Sequence, residues 1–189
     1  MAKINNNLLV KGARGHVGKQ YVYKKRGNDT LIARMPSVNK DAIATVEQEK
    51  VRDLFAAAAI YAKGAISDPV LKKEYQKKAD PSMNAYNIAF RDYLKAPVVR
   101  SVDASEYDGT VGSVIAVSAK DDFRVAEVKV AITDANGALI EEGNCVLHPI
   151  DRNKWIYTTS QANATIAGTI ISATAKDIPG NKAKLEISL

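Results

Sequence analysis

The chain has 189 residues, 46% apolar and 25% charged, with a formal net charge of +6, two His and one Cys. That composition excludes disorder throughout, leaves almost no material for the usual zinc, haem or iron–sulfur ligand sets, and rules out an internal disulfide. The charge is uneven: residues 1–96 carry 18 Lys and Arg against 9 Asp and Glu, residues 97–189 carry 9 against 12, and residues 1–40 carry nine basic residues against the one acid Asp29.

The first forty residues therefore hold the strongest positive potential and are expected to face a partner. Gly12-Ala13-Arg14-Gly15-His16-Val17-Gly18-Lys19 invites a phosphate-loop reading. That reading fails because the eight-residue frame starts at Ala13 where Gly is needed, and Gln20 follows where a hydroxyl is needed. A Gly-rich arm or tight turn is expected instead. Residues 18–35, GKQYVYKKRGNDTLIARM, read as two β-prone runs around Arg26-Gly27-Asn28-Asp29, which predicts a hairpin. Period two then places Lys19, Tyr21, Tyr23 and Lys25 on one face of its first strand and Gln20, Val22 and Lys24 on the other. A lone hairpin is marginal in water, so it is expected to pack on the helices that follow or on another subunit.

From Thr45 the apolar positions Val51, Leu54, Phe55, Ala58, Tyr61, Ala62 and Ala65 recur at spacings of three and four, which predicts an amphipathic helix. Ser67-Asp68-Pro69 supplies a cap and a first-turn proline for a short basic helix, VLKKEYQKKA. Asp80-Pro81-Ser82 repeats the start signal before a third helix lined by Tyr86, Phe90, Tyr93 and Leu94, and Pro97 ends it. From Val98 about seven short runs with β character follow, separated by turn signals such as Asn136-Gly137 and Pro179-Gly180-Asn181. The alternation of Val128, Val130 and Ile132 with Glu127, Lys129 and Ala131 predicts one buried and one wetted sheet face, and Trp155 is expected in the core. The fold class expected is α+β in two domains: residues 1–96, a basic β-hairpin with a helical hairpin, and residues 97–189, an all-β sandwich.

AEVKVAITDANGALIEEG, KWIYTT and ISATAKDIPGN, closed by the A-x-D-x-x-G-N pattern of Ala175 to Asn181, resemble a bacterial immunoglobulin-like domain. The resemblance covers residues 98–189. It implies a sandwich of about seven strands and roles in adhesion, spacing and display, including on heads and tails of tailed bacteriophages. Gly15 to Lys24 is similar to the opening of a group of bacterial and phage proteins, a likeness that implies no activity.

The remaining chemistry-bearing residues have plain readings. Lys72, Lys73, Lys77 and Lys78 paint a solvated helix stripe, and His16 and His148 lack a nucleophile with an orienting acid near them in sequence. Cys145 reads as a small buried hydrophobe. Asp103, Asp121, Asp122, Asp177 and Asn181 read as turn caps at strand ends, with a calcium site at one pole as the alternative. No cofactor, metal or small-molecule substrate is expected, no catalytic constellation is found, and a non-enzymatic structural protein is the reading. Its partner-binding residues are Lys19, Tyr21, Tyr23, Lys24, Lys25, Arg26 and Arg34, set against a protein neighbour in a homo-oligomer or lattice. The opening residues lack an export run and no stretch approaches the roughly 18 apolar residues of a span, so synthesis in the cytoplasm is expected, with a place in a phage virion (capsid or tail accessory). The alternative is a cytoplasmic nucleic-acid-binding accessory protein, with the hairpin cations on phosphates and Tyr21 and Tyr23 stacking on bases.

Overall fold

The computed structural model describes residues 2–4, 6–37 and 43–189. The chain is α+β, with three helices and three four-stranded antiparallel sheets among the described residues, and divides into two compact units, residues 1–90 and 91–189.

In the first unit, β1 (Ala2–Lys3), β2 (Gly15–Val17), β3 (Tyr21–Arg26) and β4 (Asp29–Arg34) form a sheet in the order β1-β4-β3-β2. The expected two-stranded hairpin is thus the centre of a larger sheet, because short flanking segments supply the pairing that two strands alone lack. Arg26 and Asp29 are register partners across a two-residue turn. Gly27 sits at φ +59 there, and a Cβ on it would stand 2.9 Å from the Pro81 carbonyl oxygen, so glycine serves both the turn and the close approach of the 80–82 loop. Val22 and Leu31 are buried on one face. On the other, Thr30 is buried and its hydroxyl accepts from the Gly12 amide at 2.8 Å.

Helix α1 (Val46–Ser67) opens on a capping box: the Thr45 hydroxyl accepts from the Gln48 amide, and the Gln48 side chain accepts from the Thr45 amide. Asp68 then caps α2 (Pro69–Lys78) by accepting from Val70 N, and the two helices bend by 110°. Helix α3 (Ala85–Leu94) starts later than Asp80-Pro81-Ser82 suggests. Asp80 instead closes a separate turn on Ser82, and Asn84 supplies the side-chain oxygen for the Asn87 amide. Tyr75 is fully buried with its hydroxyl 2.9 Å from that of Tyr61, and Phe55 meets Phe90 edge-on.

The apolar stripe of α1 is only half covered. Ala58, Ala62 and Ala65 are buried, whereas Val51, Leu54 and Phe55 stay about half exposed and every residue from Val46 to Ala56 is exposed. The reason is length: 22 residues span about 33 Å, against about 15 Å for each ten-residue partner.

The division falls at Phe90/Arg91, upstream of the expected 96/97, because the end of α3 is tied to the second unit. Lys95 and Arg91 reach Asp122 at 2.9 and 3.9 Å, and the Asn181 amide group donates to the carbonyls of Asp92 and Tyr93.

In the second unit, β5 (Val98–Glu106), β6 (Val114–Lys120), β9 (Val146–Leu147) and β10 (Lys154–Thr158) pair in the order β5-β6-β10-β9. The other sheet, β12-β11-β7-β8, is built from β7 (Val125–Thr133), β8 (Leu139–Asn144), β11 (Ile170–Asp177) and β12 (Lys182–Ser188). Inward residues of both sheets share one core that includes Ile115, Val117, Trp155, Val128, Val130, Ile132 and Ile171. Eight strands stand where about seven are expected. The additional one, β9, is two residues long and follows Cys145.

Tyr157 of one sheet lies over Gly143 of the other, where a Cβ would stand 2.8 Å from the ring, and its hydroxyl donates to the buried Glu141 carboxylate at 3.0 Å. Burial and that carboxylate push the Tyr157 hydroxyl up to about 12.

Candidate docking surface

The seven sequence-predicted residues all lie on or beside the first unit's sheet, but they do not share a face. Residues directly opposite one another point the same way. Tyr21, Tyr23 and Lys25 therefore stand with their partners Arg34, Ile32 and Thr30, while Lys24 and Arg26 stand on the opposite face with Leu31 and Asp29. Lys19 departs from the expected strand position. It occupies the turn between β2 and β3 at φ +55, next to Gly18 at φ +57, with the Gln20 amide donating to Val17 O at 3.1 Å. Two consecutive left-handed residues make this a tight hairpin turn of the primed type, and the Gly-rich string upstream forms the edge strand β2 and the turn after it.

Two features of this surface are open. Pairing between β2 and β3 stops at Tyr23, so Lys24, Lys25 and Arg26 run along an edge with no strand beside it among the described residues. At the other end of the hairpin, Lys19, Tyr21 and Arg34 converge with Gln20, Met35, Pro36 and Ser37 around an open groove of about 640 Å³. The last four were missed from sequence. The pattern that locates them is the continuation of the ladder past Arg34, where Met35 N donates to Gln20 O at 2.8 Å. Lys19, Lys24, Lys25 and Arg34 are exposed and carry no ion pair among the described residues, whereas Lys3 spans 2.7 Å to Asp29.

The other candidates are absorbed locally. His16 is exposed on β2, and His148 Nδ1 accepts from the Ile150 and Asp151 amides, closing the turn before β10. Cys145 is buried, and loss of solvent pushes its thiol up to about 12. Asp103 caps Ser105, Asp121 accepts from Phe123 N and Arg124 N, Asp122 faces Lys95, and Asp177 accepts from Gly180 N and Asn181 N. Burial raises the Asp177 carboxyl above its ordinary value against the pull of those bonds. Among the described residues no three His, Cys, Asp or Glu gather where a metal ion could be held, and no single helix is long and apolar enough to cross a membrane.

No protein-family model matches the chain, and no curated protein does. Among solved structures, the crystal structure of CopC from Methylosinus trichosporium OB3b is similar over 48% of this chain and 87% of that chain, at 12% identity and a TM-score of 0.35. A likeness of that size bears on neither ligand nor activity.

Proposed function

We propose that this is a non-enzymatic structural protein whose first unit docks on an acidic segment of a neighbouring protein and whose second unit is an immunoglobulin-like display module. A place in a tailed-phage particle, as a capsid or tail accessory component, fits both parts. The observation that carries the docking half is the distribution of cations on β3. Lys24 and Arg26 point to one face and Lys25 to the other, along an edge open to further pairing. An acidic strand added at that edge presents side chains to both faces alternately and meets all three charges. The phosphate ridges of a nucleic acid approach from one side and meet only part of the set, which favours the protein partner over the nucleic-acid reading.

Support for the immunoglobulin-like reading comes from the sheet orders. With β5 to β8 taken as A, B, C and C′ and β9 to β12 as D, E, F and G, the two sheets read A-B-E-D and G-F-C-C′, the partition of that fold. The closing pattern from Ala175 to Asn181 forms the F–G turn, held by Asp177.

The test is charge reversal at Lys24→Glu, Lys25→Glu and Arg26→Glu together. Light scattering and incorporation into particles report assembly, and fluorescence anisotropy with labelled duplex DNA and single-stranded RNA at 50 and 200 mM salt reports the alternative. Loss of assembly with no nucleic-acid binding by the parent supports the proposal. Salt-sensitive nucleic-acid binding by the parent that the reversal abolishes overturns it.

A further inference from the structure

The outer face of the β12-β11-β7-β8 sheet carries an arrangement of charge that the docking reading does not use. Register fixes a grid there. Thr174 of β11 stands directly between Lys129 of β7 and Lys184 of β12. Two residues along β11, Lys176 stands directly opposite Lys182 and, on its other side, opposite Glu127. In the other direction Ser172 lies between Ala131 and Glu186, and Glu142 lies beyond Ala131. Thr174 is thus ringed by four lysines, two beside it and two in the adjoining row.

The carboxylates do not neutralise that ring evenly. Glu127 and Glu142 both lean on Lys129, at 3.7 and 3.8 Å, and Glu186 pairs with Lys184. Lys176 and Lys182 have no ion pair among the described residues, although like charges directly opposite on a sheet repel. The small side chains Ala131, Ser172 and Thr174 floor a depression of about 490 Å³ walled by the four lysines and, on the side of Lys129, by Glu127 and Glu142.

We propose that this depression binds a tetrahedral oxyanion, phosphate or sulfate, seated over Thr174. The hydroxyl of Thr174 donates to one oxygen, and Lys176 and Lys182 close on the others, converting a repulsive pair into a bridged one. Lys129 and Lys184 add field from either side. Such a group, free or as an ester on a larger molecule, is compact enough to reach the floor between long side chains. Chloride carries a single charge and has no divergent oxygens with which to span Thr174 and both lysines.

The experiment is titration of the ¹⁵N-labelled full chain with inorganic phosphate, sulfate and glucose 6-phosphate, each against sodium chloride at matched ionic strength. The expected result is saturable amide shifts confined to Ser172–Lys176 and Lys182–Lys184 with the oxyanions. Affinity should fall at least fivefold both in Lys176→Ser/Lys182→Ser and in Thr174→Val, the latter keeping a β-branched side chain of the same shape. Stronger binding of the ester than of free phosphate identifies an esterified ligand, and equal binding identifies the free ion. Either supports the site. Identical shifts with chloride, no shifts, or unchanged affinity in both variants overturns it.

Discussion

Replacing Gly143 by Ala is the sharpest test of how the two sheets of the second unit meet. An exposed strand glycine changed to Ala gains about 0.5–1 kcal/mol, because the unfolded chain loses freedom. Here the added methyl stands 2.8 Å from Cε2 and 3.1 Å from the hydroxyl oxygen of Tyr157, a separation that the ring must relieve by moving. Displacement breaks the 3.0 Å bond to Glu141, a bond to a charged acceptor worth about 1.5–3 kcal/mol, and overpacking adds about 1–3 kcal/mol. Glu141 keeps its bonds from the Ser160 amide and hydroxyl, so the carboxylate is not stranded. The net expectation is a loss of about 2–4 kcal/mol. Trp155 is the one tryptophan and sits in this core, so its fluorescence in urea follows the second unit selectively. In a Tyr157→Leu background the collision and the bond are both gone, and Gly143→Ala should then no longer destabilise but show the ordinary gain of about 0.5–1 kcal/mol. A Gly143→Ala protein as stable as the parent would falsify the cross-sheet contact.

Two further outcomes follow from local geometry. Lys19→Gly relieves a left-handed backbone that costs an L residue about 1–2 kcal/mol, partly offset by the freer unfolded chain; a gain of about 0.5–1 kcal/mol in the first unit is expected by amide exchange at β2 and β3. Asp108 is held down to about 2 by the hydroxyls of Ser113 and Thr110 and the Thr110 amide. Its folded value lies below its unfolded one, so its contribution is present above about pH 4 and is lost as pH falls through about 2. Acid unfolding followed at Trp155 should lose part of its slope between pH 4 and 2 in Asp108→Asn; an unchanged acid limb refutes the assignment.

Periodicity made the larger elements readable. The spacing of Ala58, Ala62 and Ala65 found the buried side of α1, and the alternation of Val128, Val130 and Ile132 found the inward face of β7. What escaped depends on partners distant in sequence. Ala2–Lys3 is too short to show a period and is a strand only because β4 lies beside it. Lys19 continues the alternation of Tyr21 and Tyr23 on paper, but the turn begins one residue before it. Asp80 and Asn84 both suit a helix cap, and the separate Asp80–Ser82 turn decides between them. The candidate docking residues were legible as types, while their division between two faces required the register of β3 on β4. Of the lysines around Thr174, Lys176, Lys182 and Lys184 are near one another in sequence, but Lys129 comes from β7, 45 positions before Thr174, so no local pattern announces the whole ring.

The burial of Cys145 has a practical corollary. A thiol with so little thiolate at neutral pH reacts slowly with maleimides and iodoacetamides. A cysteine engineered at an exposed site, such as the open edge of β3 or the outer sheet face, becomes the one fast-reacting sulfur in the native chain. Fluorophores, spin labels or crosslinkers can therefore be attached at chosen positions with the natural thiol left in place.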